Sequence, residues 1–390
     1  MQPLVPPARV RRRLRRIARL IGWFGVAGAG AITLARAVGG DQHTPLIELA
    51  VLVPISAVAL IGLLALAVVV QATRLAAVSA LLLVVQLVWL LPAFGVGVRG
   101  PDQLSETGDL RVLQFNTLTG MADPGAIVTT IRELRIDVFA VEELTPPLVH
   151  GLRDAGLSGE LPYRVGAPNW GGSGTAIYSR WPLTDLGEIA GTTFLIPRAG
   201  LRLPDGTELT VTAVHTLSPL PGRVQGWRTD LSLVAAAVAA TPGPQLVLGD
   251  FNATRDHGGF RELLDGPLGL TDSAEALGLL GGAWPGFTWP ADKGWLPPFM
   301  RLDHVLVTPG SIGVRRLDVV ELPGSDHRAL VATLAVTRRP EPGPGQLVHN
   351  PANRAIIVIC PTTARWPTWT ADPPPARWCS WTNRSGRRWA

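Results

Sequence analysis

The sequence predicts a layered α/β domain with buried sheets, set behind helices that cross a membrane. Three observations carry this. From Leu110 to about Val336 short β-like runs alternate with helical stretches; two apolar runs long enough to span a bilayer precede them; and charge is spread unevenly along the 390 residues. A mean hydropathy of +0.25 in a chain that is only 17% charged points to lipid-facing segments somewhere along it.

The net charge of +5 suggests a nucleic-acid binder until it is counted by region. Of 35 bases, 10 lie in residues 1–100 and 8 in 337–390, against 2 acids in each segment. That leaves 17 bases and 26 acids in the middle, a formal −9. A polyanion is gripped by clustered Lys and Arg that displace its counterions, so an acidic domain disfavours DNA as substrate. The two cysteines, Cys360 and Cys379, both lie near the C-terminus, and no disulfide framework supports the domain.

At the N-terminus seven arginines, Arg9 to Arg19, precede an apolar stretch from about Leu20 to Ala35. A secretory signal is one reading of this, but no A-x-A-like cleavage site closes the stretch. Two longer apolar runs follow, about Leu49 to Thr73 and Leu75 to Val98, and three spans fit better. Each later run exceeds the roughly 20 residues that cross about 30 Å of hydrocarbon, whereas the first is short and requires Arg36 to snorkel. The Arg cluster and Arg74 favour the cytoplasmic face, while the first loop carries Asp41 and Glu48 and no base. Three crossings put everything after about residue 99 outside. The expected organisation is a basic cytoplasmic N-terminus (1–19), a membrane region (20–98), a catalytic domain (109–337) and a tail (338–390).

Within the domain, RVLQFNT, DVFAVEEL, GTAIYSR, ELTVTAVHT, QLVLGDFN, RLDHVLVT and ALVATLAV read as strands. Pro124 to Arg135 and Gly226 to Ala240 read as helices from apolar residues recurring at three and four. After Arg338 the chain is rich in Pro, Arg and Trp without regular spacing, the composition of a segment that stays disordered. Trp366, Trp369, Trp378, Trp381 and Trp389 would suit contact with headgroups, although a tolerated extension accounts for them more simply.

Most strands end in polar residues of one chemical kind, and strand ends are where α/β folds assemble sites. Asn116, Glu143, Asp250, Asn252, Asp303 and Asp326, with His215 and His327, form an oxygen-rich set containing two imidazoles and no thiol. Such donors suit a hard cation such as Mg²⁺ or Mn²⁺, and phosphate chemistry is what that cation usually serves.

The segments QFNT, DVFAVEEL, GTAIYSR, AVHT, LVLGDFNAT, FTW, RLDHVLV and GSDHRALVATL follow the order and spacing of the endonuclease/exonuclease/phosphatase (DNase I-like) superfamily, which the chain resembles over about residues 109 to 337. That superfamily includes DNase-like nucleases, neutral sphingomyelinases and inositol-polyphosphate phosphatases. The resemblance implies a four-layered α/β sandwich. With the preceding spans, the chain looks especially similar to the membrane-bound branch associated with teicoplanin resistance. The resemblance makes Glu143 the principal Mg²⁺ ligand, with Asn116 at the metal edge and Asp326 completing the metal environment. It has Asp250 orient or deprotonate water, Asn252 hold a phosphoryl oxygen, His327 contact the phosphate under orientation by Asp303, and His215 stabilise charge or protonate the leaving group.

Two positions depart from the family pattern. Glu142 stands where Gln usually precedes the metal-ligating Glu, which is expected to add an acid beside the metal. Leu118 replaces an Asp found in many family nucleases, removing a possible ligand. His257 and Asp272 read as loop and helix-cap residues. The expected substrate is a membrane lipid or lipid-linked phosphate of the cell envelope. An extracellular membrane-tethered nuclease and a catalytically silent binding module are the alternatives.

Overall fold

The structure, a computed structural model, describes residues 8–39, 41, 43–96, 98, 109–266, 269–278, 286–337, 347–350 and 355–358. The chain divides into two compact units, Met1–Thr337 and Arg338–Ala390. The first unit begins with four helices, α1 (Ala8–Ala37), α2 (Thr44–Ala50), α3 (Val53–Val69) and α4 (Thr73–Leu90). There follow β1 (Asp109–Asn116), α5 (Pro124–Glu133), β2 (Val138–Glu142), α6 (Pro146–Asp154), α7 (Leu157–Glu160), β3 (Tyr163–Ala167), β4 (Thr175–Ser179), β5 (Leu183–Glu188), β6 (Pro197–Arg202) and β7 (Glu208–His215). The unit ends with α8 (Val224–Ala240), β8 (Gln245–Asp250), α9 (Gly258–Asp265), β9 (Thr271–Asp272), α10 (Ser273–Leu277), β10 (Asp303–Val307), β11 (Ile312–Val320) and β12 (Ala329–Val336).

Two helices, Arg9–Ala37 and Thr73–Phe94, are long and apolar enough to cross a membrane. The pair α2 and α3 passes the same test together but is bent by 62°. This differs from the straight span expected over Leu49 to Thr73, and Pro54 is the reason. Its ring collides with the carbonyl four residues back and offers no amide hydrogen, so the helix cannot run on from Ala50 and restarts at Val53 with the proline in its first turn. A polar knot ties the helices together: Gln86 Nε2 on α4 donates to Thr33 Oγ1 on α1 at 2.9 Å and to Ser56 Oγ on α3 at 3.0 Å. Arg19 donates to the carbonyls of Val70 and Gln71, which sets the N-terminal half of α1 beside the α3–α4 turn. Arg36, at the opposite end of α1, does not snorkel as expected; it pairs with Asp256 of the α/β domain at 2.6 Å.

The α/β domain holds two six-stranded mixed sheets, ordered β11-β12-β1-β2-β4-β3 and β5-β6-β7-β8-β10-β9. Alternation along the strands sorts their apolar residues into three cores. Val112, Ala140, Val211, Leu248, Val305 and Ala332 face inward and fill the space between the sheets. Phe115, Phe139 and Val141 face outward from the first sheet onto Ile127 and Ile131 of α5 and Leu148 and Leu152 of α6. Val214, Val247 and Leu306 face outward from the second onto Trp227 and Leu231 of α8 and Phe260 of α9. Helix, sheet, sheet, helix is a four-layered α/β sandwich, as the family resemblance implies.

Local chemistry fixes the helix starts. Asp123 caps α5 by accepting from the amides of Gly125 and Ala126, and Pro124 fills the first position, where its missing amide hydrogen costs nothing. Thr145 caps α6 in the same way. In the second unit, β13 (Leu347–Asn350) and β14 (Ala355–Val358) pair antiparallel. The rest of 338–390, with Cys360, Cys379 and the five tail tryptophans, lies outside the described residues.

Candidate active site

Polar residues take over the inward-facing positions where the inter-sheet core ends. On β1 the inward series Val112, Gln114 ends at Asn116; on β7, Val211, Ala213 ends at His215; on β8, Leu246, Leu248 ends at Asp250; on β10, Val307, Val305 leads back to Asp303. Strand register then lines them up. His215 is the partner of Asp250, which is the partner of Asp303, so three titratable groups sit side by side on one sheet. Asn116 pairs with Glu142 on the facing sheet. Gly249, just before Asp250, has φ 149°, and a Cβ there would run into the Val214 carbonyl, so only glycine lets β8 pass this close to β7.

Six non-glycine residues among those described have positive φ, and four of them, Leu118, Thr119, Glu143 and Asn252, belong to this region. Strained backbone persists where surrounding bonds over-determine it, as at functional sites. Here the bonds are visible. Asn116 Oδ1 accepts from Leu118 N at 3.0 Å, Glu143 Oε2 from Thr119 N at 2.5 Å, and Asp250 Oδ1 from Asn252 N at 2.8 Å.

Two carboxylates converge on one small volume. Asn116 Nδ2 donates to Asp250 Oδ2 at 3.0 Å and to Glu143 Oε1 at 3.3 Å, and His215 Nε2 lies 3.8 and 3.9 Å from the same two oxygens. Converging anions of this kind, with an amide beside them and no thiol, form a hard-donor set that fits a divalent cation of the Mg²⁺ type better than a structural zinc. His215 stacks on Phe194 at 4.7 Å, and its Nδ1 is buried with no partner among the described residues.

Beside this pair lies a dyad. His327 Nδ1 donates to Asp303 Oδ2 at 2.8 Å, and its Nε2 is 3.8 Å from Asp250 Oδ2. Burial works against the imidazolium, but Asp303 and Asp250 outweigh it and push His327 up to about 10. Burial would raise Asp303 too, yet the charge and hydrogen bond of His327 hold it below its ordinary value. Burial pushes Asp250 up to about 6 against the pull of His327. Oxygens of Asp250 and Asp303 and a nitrogen of His327 lie within 4.8 Å of one another, a grouping that suits a cation by distance alone. A protonated ring has no lone pair to offer, so this grouping is read as a proton-bearing dyad beside Asp250.

Seven of the eight expected residues thus gather in one place. Asp326 is not among the converging oxygens: its Oδ2 accepts from Trp289 Nε1 at 3.0 Å, although its charge still reaches His327. Glu142 continues the inward series Val138, Ala140 and so points between the sheets. Gln114 Nε2 bridges Glu142 Oε2 at 2.8 Å and Asp303 Oδ1 at 2.7 Å, and burial, then Asp303, raises the Glu142 carboxyl well above its usual value. Sequence reasoning overlooked Gln114 itself; a polar residue on an apolar inward face was its signal. Ser325, inside the SDH motif, was overlooked too: its Oγ donates to the Asn116 carbonyl at 2.7 Å and accepts from His327 N at 3.0 Å. His257 and Asp272 take the structural roles expected of them. Asp272 caps α10, and His257 is buried just before α9.

A cavity of about 620 Å³ adjoins the site, lined by Leu118, Met121, Leu322 and Pro323 with Ala291 and Ser325, and by the acids Asp292 and Glu321.

No curated protein matches the sequence significantly. Several solved structures resemble the domain. D. rerio TDP2, in complex with a single-strand DNA product, is 18% identical over 59% of this chain and 100% of its own, with a TM-score of 0.49. A mannosyl-6-phosphatase of Bacteroides thetaiotaomicron is 17% identical over 58% and 99%, with a TM-score of 0.45. An endonuclease/exonuclease/phosphatase from Beutenbergia cavernae is 18% identical over 59% and 72%, with a TM-score of 0.43. The model of the Endonuclease/Exonuclease/phosphatase family matches residues 113–327, more than half of the chain and every residue of the site described above. The chain therefore belongs to the endonuclease/exonuclease/phosphatase family, whose members are metal-using hydrolases of phosphate esters.

Proposed function

We propose that this chain is a membrane-held, Mg²⁺-dependent phosphoesterase that hydrolyses a phosphate ester or pyrophosphate of a lipid-linked, cell-envelope substrate at the outer face of the cytoplasmic membrane. One observation carries the reading: Asp250 stands six residues before Asp256, which is ion-paired to Arg36 in the last turn of a membrane-length helix. Six residues reach at most about 20 Å, so the site lies within headgroup range of the helix exit. Tethering at that distance raises the effective concentration of lipids and of little else. The apolar wall of the adjoining cavity suits hydrocarbon next to a phosphate, and Asp292 and Glu321 repel a polyanionic chain.

The same contacts support the topology. The N-terminal arginines and the α3–α4 turn share one end of the helices, and Arg36 and the α/β domain share the other. Three crossings, with the bent pair as one, put the domain opposite the basic end, outside by the positive-inside rule.

Glu143, with Asn116 at the edge, would hold the cation, which when bound neutralises charge developing on phosphoryl oxygens. Asp250, poised near neutrality, takes the proton of the attacking water. Asn252 holds a phosphoryl oxygen, and the His327 imidazolium, kept charged by Asp303, stabilises the negative charge that builds up there. His215, between the two carboxylates, delivers a proton to the leaving oxygen.

Purified full-length protein with Mg²⁺ should hydrolyse a polyprenyl pyrophosphate in mixed micelles in preference to sphingomyelin or plasmid DNA. Preferential cutting of DNA would replace the lipid reading with that of a tethered nuclease. A periplasm-active reporter fused after residue 100 that works only in the cytoplasm would overturn the topology.

A further inference from the structure

The loop that follows Asp250 and carries Asn252 into the site, residues 251–257, is gripped from two sides. Its inner grip comes from the α/β domain: the Phe251 carbonyl accepts from Thr216 Oγ1 at 2.6 Å and Trp227 Nε1 at 3.3 Å, and His304 Nε2 lies 3.0 Å from the Ala253 carbonyl. Its outer grip comes from the membrane segment. Arg36 pairs with Asp256 at 2.6 Å with both side chains about nine-tenths buried, and the guanidinium lies 4.3 Å over the ring of Trp89 on α4. Asp41 accepts from the amides of Gly258 and Gly259 at 2.9 and 2.5 Å and so caps α9 from outside the domain. His257 Nδ1 accepts from Thr254 N, which leaves Nε2 to donate to the Ile47 carbonyl at 3.3 Å. The Ile47 side chain sits in the same core as Trp227. A passive tether needs none of these buried bonds.

We propose that the exit of α1 is a positioning element of the catalytic centre. Arg36 acts through Asp256, and Asp41 through the start of α9, to hold loop 251–257 and with it the Asp250 carboxylate and the Asn252 side chain. The inference rests on the catalytic reading of those two residues. Asn252 sits at φ 46°, a conformation that relaxes when its surroundings loosen. Without Arg36, the Asp256 carboxylate is a buried charge without its partner, which must take up a proton or turn toward water. Either response pulls on the loop four and six residues from the groups it positions.

The test uses the full chain in detergent micelles with a soluble substrate, p-nitrophenyl phosphate, for which anchoring has no value. Arg36→Gln should lower kcat at least tenfold with KM changed less than threefold. It should also raise amide exchange in 251–259 at least tenfold while leaving β1 and β12 unchanged. Adding Asp256→Asn removes the unpaired charge and should restore both readouts to within threefold of wild type. Unchanged exchange in 251–259 overturns the proposal, as does a double variant no better than the single one. Should Arg36→Gln fail to fold, Asp41→Asn carries the same expectation at amides 258 and 259. If the wild type hydrolyses no phosphate ester, the catalytic reading fails while the exchange comparison still decides whether the membrane segment holds the loop.

Discussion

Nδ1 of His327 donates to Oδ2 of Asp303 across 2.8 Å, and this bond decides which protons the site holds. It keeps His327 charged up to about pH 10 and leaves Nε2 as the proton-bearing edge toward Asp250. Activity should rise as Asp250 ionises through about pH 6 and fall as His327 deprotonates through about pH 10. Because His327 is raised above its ordinary 6.5, its contribution to folding is fully present below about pH 6.5 and is lost as pH climbs to about 10. Asp303→Asn removes the largest raising influence, so the alkaline limb of the kcat profile should move down by at least one pH unit, with kcat reduced about a hundredfold. A limb that stays in place would mean that another group sets it.

Asp250→Asn tests the water-activating step. The amide keeps the size of the side chain and an acceptor for Asn252 N but cannot take a proton. We expect kcat to fall about 10²- to 10⁴-fold with the near-UV circular dichroism unchanged. A loss under tenfold would move the base elsewhere.

Glu142 should behave in the opposite way. Its carboxyl is buried between the sheets and raised by burial first and Asp303 second, so the folded chain keeps a proton that the unfolded chain gives up. Above the ordinary value of 4.5, stability therefore falls as pH rises toward the folded value. Glu142→Gln removes that loss, keeps an acceptor for Gln114 and leaves the water-activating groups intact. At pH 8 its melting temperature should exceed wild type by about 2 °C or more, the gain should shrink toward pH 5, and kcat should change less than about fivefold. A thermal-shift series across pH reads this directly.

Much of this site was legible before the fold was known, because strand periodicity does two jobs. The alternation that predicts Ala213 and Leu248 as core also predicts that His215 and Asp250, two residues on, point the same way. Sequence order alone could not show which strands become neighbours, so the bridge from Gln114 to Asp303, 189 positions apart, was hidden. Glu142 and Glu143 are adjacent in the sequence, and both are expected beside the metal. The left-handed turn at Glu143 separates them, sending Glu143 toward Asn116 and His215 and leaving Glu142 between the sheets. In the N-terminal helices hydropathy found the apolar runs but not their break. Pro54 was in plain view, yet a count of apolar residues is blind to it. Nor does snorkelling allow for a domain that supplies Asp256 as a partner for Arg36.

The cavity beside the site gives the sharpest test of substrate class. Leu118 lines it at φ 47°, a conformation that Asp tolerates better than Leu, so Leu118→Asp carries no added backbone penalty. What it adds is a third acid beside Asp292 and Glu321 on a wall that Met121, Leu322 and Pro323 otherwise keep apolar. Each methylene of a lipid chain excluded from that wall forfeits about 0.8 kcal/mol, so losing contact with two of them costs on the order of tenfold in binding. We expect the ratio of kcat/KM for a polyprenyl pyrophosphate to that for p-nitrophenyl phosphate to fall about tenfold or more. Met121→Glu, at an exposed position of the same wall, should lower the same ratio. If both variants leave the ratio at its wild-type value, the hydrocarbon lies elsewhere and the cavity has no part in choosing the substrate.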